Sequence, residues 1–465
     1  MSTRLDLQSL LMQARGTAGV SCRRHLNGML SSLIHTVGID RNYVRGEGPY
    51  LWDDRGNRIL DCLAGFGAIA VGRAHPVVTD ALEQCLRLAP PNWVRMENNA
   101  LAAEAARRLV GAAGVSATRV FFTNSGTEAV EAAIKFATRH TGRSGLLSWS
   151  DSFHGLTCGS LSVNGNDDLR EGYGALLPNC DRIEFGDLSR LEQALHSRNV
   201  AALIVEPVQG KTLRDMGEGR LSEAHAMCRK HGTLLVADEV QSGCGRTGTF
   251  LACHADGVDP DLAVLSKALS GGLVPVGALL VGDDVWNSTY SSLDRVFAHS
   301  STFHEGSLAM TAVIATLAVI EEERLCDQSR ALGVELREGL TRACSSCRSF
   351  RSVLGRGLMI GVDFEPAGVA SPASLPMIGD RLYPIVGQSI VSSLLNDHEV
   401  LAQVTGAKRP VLKFLPPMTI TADDARHIAN ATASALRSFE NGSAYRAAIG
   451  AALRLTSARL RGGGD

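Results

Sequence analysis

Lys267 follows the apolar run Leu262-Ala263-Val264-Leu265 and Ser266, and leads into Ala268-Leu269-Ser270-Gly271-Gly272. An isolated lysine is ordinarily a solvated surface charge. A lysine at the end of a buried strand is different, because an open α/β sheet places its ligands at the carboxyl ends of its strands. Desolvation there lowers the pKa of an amine, and a neutral amine is both nucleophile and proton carrier. Asp238 and Glu239 end a second apolar run, TLLVA (233–237). A carboxylate in that position is costly unless paired. A protonated ring nitrogen is one such partner; a helix cap or a salt bridge is another.

A third stretch, FFTNSGTEAVEAAIKFA (121–137), reads as a strand that stops at Asn124 and a helix that starts near Gly126. Ser125, Gly126 and Thr127 then present free N–H groups and hydroxyls at a helix N-terminus, which suits a phosphate. Ser125 and Glu128 also spell an ordinary capping box. In WSDSFHGLTCGSLS (149–162), Phe153 and His154 follow another strand, where an aromatic ring can lie on a planar ligand or simply pack. GCGRTG (243–248) matches the dinucleotide-binding glycine pattern only weakly, since no clear helix follows it. The pair Cys344 and Cys347 lacks the further ligands that a zinc site needs.

The elements that must carry these residues alternate. Strands are expected at 119–122, 145–148, 201–205, 233–237, 262–265 and 277–281, and helices at 99–111, 126–141, 222–231 and 307–322. Apolar strands interleaved with helices imply a mostly parallel sheet covered on both faces. The pattern therefore predicts a large α/β domain over 76–329 and a smaller α+β domain built from 1–75 and 330–440, with 441–465 as a tail whose end is frayed. Within 1–75, YLWDDRGNRILDCLAGFGA reads as short strands about a turn, and a last helix is expected at 422–438.

A chain of 465 residues allows about two or three domains. Its net charge of -2 argues against a nucleic-acid footprint. No run approaches the ~18 apolar residues of a membrane span. MSTRLDLQSL is a poor signal peptide, and eleven scattered cysteines suggest a reducing compartment, so a cytoplasmic location is expected.

In chain order, NSGTEAVEAAIKFA, FHG, VEPVQG, DEVQSGCGRTGTF, LSKALSGGLVPVGA and HSSTF resemble the class III pyridoxal-phosphate-dependent aminotransferases, over about Tyr50 to Ile420. That group includes acetylornithine, ornithine, putrescine, diaminobutyrate and 4-aminobutyrate aminotransferases. The resemblance implies the fold of the type I pyridoxal-phosphate enzymes. It makes Lys267 the Schiff-base lysine and proton shuttle, and Asp238 the partner of the pyridine nitrogen. It puts Gln241 at the ring oxygen, Val240 and Phe153 on the two ring faces, with His154 beside them, and Ser125, Gly126 and Thr127 at the phosphate. Thr302 of a neighbouring subunit would complete that phosphate site, which implies a homodimer with shared active sites. Two departures bear on substrate: Leu156 stands where several relatives carry an arginine, and Lys413 where relatives often hold the substrate carboxylate with an arginine. Glu206 is expected to pair with Lys413 and swing aside as a gate. The implied reaction is ping-pong transfer of an amino group, terminal or ω in a diamine or amino acid, to a 2-oxo acid. An aminomutase of the glutamate-1-semialdehyde type is the alternative.

Overall fold

A computed structural model describes residues 5–94, 96–365, 379–405 and 410–441. The expected tail beyond Asn441 lies outside them. Three short strands come first: β1 (Tyr43–Glu47), β2 (Tyr50–Asp53) and β3 (Arg58–Asp61). Seven follow in the middle of the chain: β4 (Arg119–Thr123), β5 (Gly145–Trp149), β6 (Cys180–Ile183), β7 (Val200–Val205), β8 (Leu234–Asp238), β9 (Leu262–Leu265) and β10 (Gly277–Val281). The last five are β11 (Phe350–Arg356), β12 (Met359–Phe364), β13 (Val400–Leu401), β14 (Gln403–Thr405) and β15 (Val411–Phe414).

The seven central strands form one sheet in the order β4-β10-β9-β8-β7-β5-β6. Pairing is parallel except at β10, which runs antiparallel to both β4 and β9. Six strands therefore point the same way, and their carboxyl ends share one edge. Both faces are covered, because successive strand residues point to opposite sides. Val236, Val264 and Leu279 pack with Val130, Ile134 and Phe136 of the helix Gly126–Thr141. Leu235, Ala263, Leu265 and Leu280 join the larger core on the other side, with Leu109 and Val313 of the helices Ala100–Ala113 and Ser307–Glu322. Strands buried on both faces are uniformly apolar, as VAALIV in β7 and LAVL in β9 show.

Two smaller four-stranded sheets complete the fold. In β1-β2-β3-β13, strand β13 pairs parallel to β3 (Val400 opposite Leu60), so the first and last parts of the chain share a sheet. In β11-β12-β15-β14, Lys413 of β15 lies opposite Gly361 and Gln403. The expected final helix spans Ala422–Glu440 and opens on a capping box from Thr421 and Asp424. Several elements were not anticipated, β6 and the two N-terminal helices among them. β6 has a single buried residue, too weak a signal to read. The helices Leu7–His25 and Gly28–Thr36 start at side-chain caps from Asp6 and Asn27 and bury no residue, so they lack the apolar stripe that marks a core-facing helix.

Candidate active site

The chemistry-bearing residues sit where strands end. β4 runs into Asn124-Ser125 and the helix Gly126–Thr141, β5 precedes Phe153 and His154, and β7 precedes Glu206. β8 ends on Asp238, and β9 is followed by Ser266 and Lys267. The adjacent acids Asp238 and Glu239, at the end of β8 and just beyond it, turn to different partners. Asp238, 4% exposed, points to the shared edge and accepts from the Val240 N–H at 3.1 Å. Glu239 turns away, to the Ser242 hydroxyl at 2.5 Å and the Cys253 N–H at 2.9 Å.

Asp238 is coupled to His154, whose Nδ1 is 2.7 Å from Asp238 Oδ2 with both side chains buried. Burial by itself favours the neutral imidazole, but the Asp238 hydrogen bond and the charges of Asp238 and Glu206 outweigh it and raise the pKa of His154. Asn164 fixes the segment: its Oδ1 accepts from His154 N at 2.6 Å and its Nδ2 donates to Gly155 O at 2.7 Å. His154 Nε2 is buried and has no partner among the described residues.

Lys267 takes a left-handed backbone, φ 41°, at the turn out of β9. A lysine held there is strained, and strain of this kind is kept where the surroundings over-determine the geometry. Burial lowers its pKa, opposed by the negative charges of Asp238 and Glu206. Glu206 is itself buried and shifted upward by burial, and its carboxylate accepts from Phe153 N at 2.8 Å and Gly210 N at 2.6 Å.

At the helix start, Ser125 accepts from Glu128 N at 3.3 Å, while Glu128 reaches past Ser125 to Asn124 N at 2.6 Å, so only half of the expected capping box forms. The N–H groups of Gly126 and Thr127 take no backbone partner among the described residues. The Thr127 hydroxyl lies 2.8 Å from that of Thr157 and 2.7 Å from that of Ser160. The chain approaches closely here: a Cβ on Gly126 would lie 2.9 Å from Val240, and Gly155 has φ 124° with the position of its missing Cβ 2.4 Å from Thr127 Oγ1.

Other expected contacts differ. Glu206 and Lys413 form no ion pair; Lys413 Nζ donates instead to Gly210 O and Gln241 Oε1, both at 2.5 Å. The Gln241 amide donates on to Phe66 O at 3.0 Å. Burial, with the charge of Lys267 adding to it, pushes the pKa of Lys413 down to about 7 despite Glu206. Leu156 is 60% exposed and Thr302 is exposed, so neither lines an enclosed pocket within one chain. Sequence reasoning missed Asn164 and the backbone of Phe66, which have no motif to announce them. GCGRTG lies in turns with a fully buried Arg246 that donates to the carbonyls of Leu358, Pro416 and Gly67, and only a short 3-10 segment, Ala252–Asp256, follows. That leaves no helix N-terminus for a dinucleotide. The thiols of Cys344 and Cys347 are buried and pushed up by burial, Cys344 to about 12, which leaves them inert.

The residues present fit pyridoxal phosphate. Unpartnered N–H groups at a helix start suit its phosphate, a buried carboxylate suits a protonated ring nitrogen, and an amine of lowered pKa suits its aldehyde. These features at the edge of the central sheet are those expected of a pyridoxal-phosphate enzyme of the type I fold.

Comparison with known proteins defines the family. The sequence profile of the class-III aminotransferases matches residues 35–436. Aminotransferase PigE from Serratia sp. is 33% identical over 429 residues, which cover 85% of this chain and 50% of that protein, so the chain spans half of PigE. Acetylornithine aminotransferase from Methanopyrus kandleri is 40% identical over 322 residues, covering 69% of this chain and 80% of that one. Among solved structures, the ornithine aminotransferase of Toxoplasma gondii matches at TM-score 0.76 and 28% identity, over 87% of this chain and 92% of its own. An amine transaminase from an uncultivated Pseudomonas species, solved with pyridoxal phosphate bound, matches at TM-score 0.76 and 26% identity, over 86% and 94%. The chain belongs to the class-III aminotransferases and is a pyridoxal-phosphate-dependent transaminase. These relatives are aminotransferases or transaminases by name, and the aminomutase alternative is not favoured.

Proposed function

We propose that the chain moves a terminal or ω-amino group of a diamine or amino acid to a 2-oxo acid such as 2-oxoglutarate or pyruvate, in a ping-pong cycle. The observation that carries this reading is the engagement of Lys413. The residue in the place of the relatives' arginine spends two donors on Gly210 and Gln241, and Leu156 adds an apolar side chain where relatives have a second cation. Both changes favour a donor without an α-carboxylate.

Bound pyridoxal phosphate supplies an aldehyde that captures amines and a ring that withdraws an electron pair. Lys267, its pKa lowered by burial, would attach the cofactor, accept the proton leaving the substrate carbon and return it nearby. Asp238 would keep the ring nitrogen protonated, with His154 and Asn164 fixing the carboxylate. Gly126 and Thr127, with Ser125, would hold the phosphate, while Val240 and Phe153 would enclose the ring and Gln241 would meet its oxygen. We assign the large domain to 76–329 and the smaller one to 1–75 with 330–440.

The holoenzyme should be yellow. After borohydride reduction, peptide mass spectrometry should find the pyridoxyl mass on Lys267; any other location rejects the assignment. Loss of the visible absorbance band, scored over a panel of diamines, ω-amino acids and α-amino acids, identifies the donor class, and a response to α-amino acids alone would reject it.

A homodimer is part of this reading. Thr302 is exposed beside Phe303 (60% exposed), and Phe297 is 72% exposed nearby, an apolar surface that association would cover. Mixed dimers of Lys267→Ala and Thr302→Ala chains would contain one intact site if Thr302 serves the second copy. Recovery of activity on mixing supports sharing, and none opposes it. No helix among the described residues is long and apolar enough to cross a membrane. All eleven cysteines are unpaired, which supports a reducing, cytoplasmic compartment.

A further inference from the structure

If Lys413 is committed to the protein, the carboxylate of the oxo-acid acceptor needs another cation. We infer that Lys211 is this receptor, a specificity-determining residue for the acceptor half of the reaction. The inference rests on the transamination proposed above.

Three cations lie on or against the loop that follows β7. Lys413 is 2% exposed and holds Gly210 and Gln241, so releasing it to a substrate would break two short hydrogen bonds. Arg214 is paired with Asp151 at 2.9 Å and lies over the Phe185 ring at 4.8 Å. Lys211 differs from both. Its Nζ sits 5.7 Å from the centroid of the Phe153 ring and makes no hydrogen bond or ion pair among the described residues. Its backbone is fixed, because Lys211 O accepts from the Thr405 hydroxyl of β14. Gly210, one residue earlier, is gripped by both Glu206 and Lys413. An anchored main chain with an uncommitted, half-buried ammonium is a pre-organised anion receptor. The acidic groups within its field are Glu206, Asp151 and Asp168, while burial lowers its pKa. Glu206 is bonded to two N–H groups and Asp151 to Arg214, so neither replaces an incoming carboxylate.

The test uses the holoenzyme with 1,4-diaminobutane as a carboxylate-free donor and 2-oxoglutarate and pyruvate as acceptors, following each half-reaction separately by absorbance. Lys211→Ala should raise the acceptor KM about tenfold to a hundredfold, the worth of a hydrogen bond to a charged group, and should shift the donor KM far less. Lys211→Arg should restore most of the acceptor affinity, and Lys211→Glu should weaken it beyond the alanine variant. An unchanged acceptor KM in Lys211→Ala, or equal losses in both half-reactions without rescue by arginine, would overturn the assignment. Failure of the wild-type holoenzyme to show either half-reaction with any amine or oxo acid would instead strike the transaminase reading itself.

Discussion

Glu206 and Lys413 hold one residue from two sides: Glu206 Oε2 accepts from Gly210 N at 2.6 Å, and Lys413 Nζ donates to Gly210 O at 2.5 Å. The opposite charges are joined through a backbone unit instead of a direct pair, so the loop that follows β7 is fixed to β15. The arrangement keeps a lysine in a buried place at an electrostatic cost, because burial and the neighbouring Lys267 disfavour its charge.

That cost gives a pH signature. The folded pKa of Lys413 is about 7 against an ordinary 10.5, so between those values the unfolded chain holds a proton that the folded chain does not. Stability from this group therefore rises with pH across that window. Lys413→Met removes the term. The melting temperature of the wild type relative to Lys413→Met should move in favour of the wild type on going from about pH 7 to about pH 9. Calorimetry that shows the difference moving the other way would reject the buried, proton-poor lysine.

His154, bonded to Asp238, carries the opposite sign. Asp238→Asn keeps the shape and removes the charge, so kcat/KM should fall about a hundredfold or more. The pKa of His154 should fall too, since burial is then opposed less, a shift that nitrogen NMR of the imidazole can follow. In the wild type the folded pKa of His154 is raised, so its stabilising contribution is full below the unfolded imidazole value and is lost as pH rises through the folded one. The melting difference between the wild type and His154→Gln should be largest in mild acid and shrink at higher pH.

The parts of the site legible in the sequence are those in which residue type and strand end coincide. Lys267 and Asp238 stand out because a charge after LAVL or TLLVA violates the apolar pattern of a buried strand. The proposed phosphate seat stands out because Ser-Gly-Thr opens a helix. What pairs with what is not legible. The Asp238–His154–Asn164 chain and the Gly210 bridge depend on loops brought together from 10 and 84 residues apart, or in the case of Lys413 from 203 residues away. The antiparallel β10 was hidden for a related reason, since GALLV is buried on both faces whichever way it runs.

Lys267 offers a test of strain that is separate from chemistry. At φ 41° a side chain crowds its own backbone, at a cost of about 1–2 kcal/mol. Glycine relieves this but gives up about 0.5–1 kcal/mol of chain entropy on folding. Lys267→Gly and Lys267→Ala should both lose transamination, and Lys267→Gly should be the more stable of the two by up to about 1 kcal/mol. Denaturant unfolding of the two apo variants measures the difference; equal stability, or a more stable alanine form, would show that the turn relaxes when the lysine is removed.

Gly126 tests whether close approach at the helix start is what shapes the phosphate seat. A methyl group there would lie 2.9 and 3.0 Å from the two methyls of Val240 and 3.3 Å from Ser266 Cβ. None of these neighbours is the far end of a flexible side chain, so Gly126→Ala must displace the helix start or Val240, at a cost of about 1–3 kcal/mol. Because Val240 follows Asp238 by two residues and donates its N–H to that carboxylate, the displacement should reach Asp238, the proposed partner of the ring nitrogen, and weaken cofactor retention. Val240→Ala removes the two closest methyls. In a double-mutant cycle on cofactor dissociation, the pair Gly126→Ala and Val240→Ala should therefore retain cofactor better than the sum of the single losses, by about 0.5 kcal/mol or more. Strict additivity would mean that the methyl clashes with something other than Val240, and the packing argument for glycine at this position would fail.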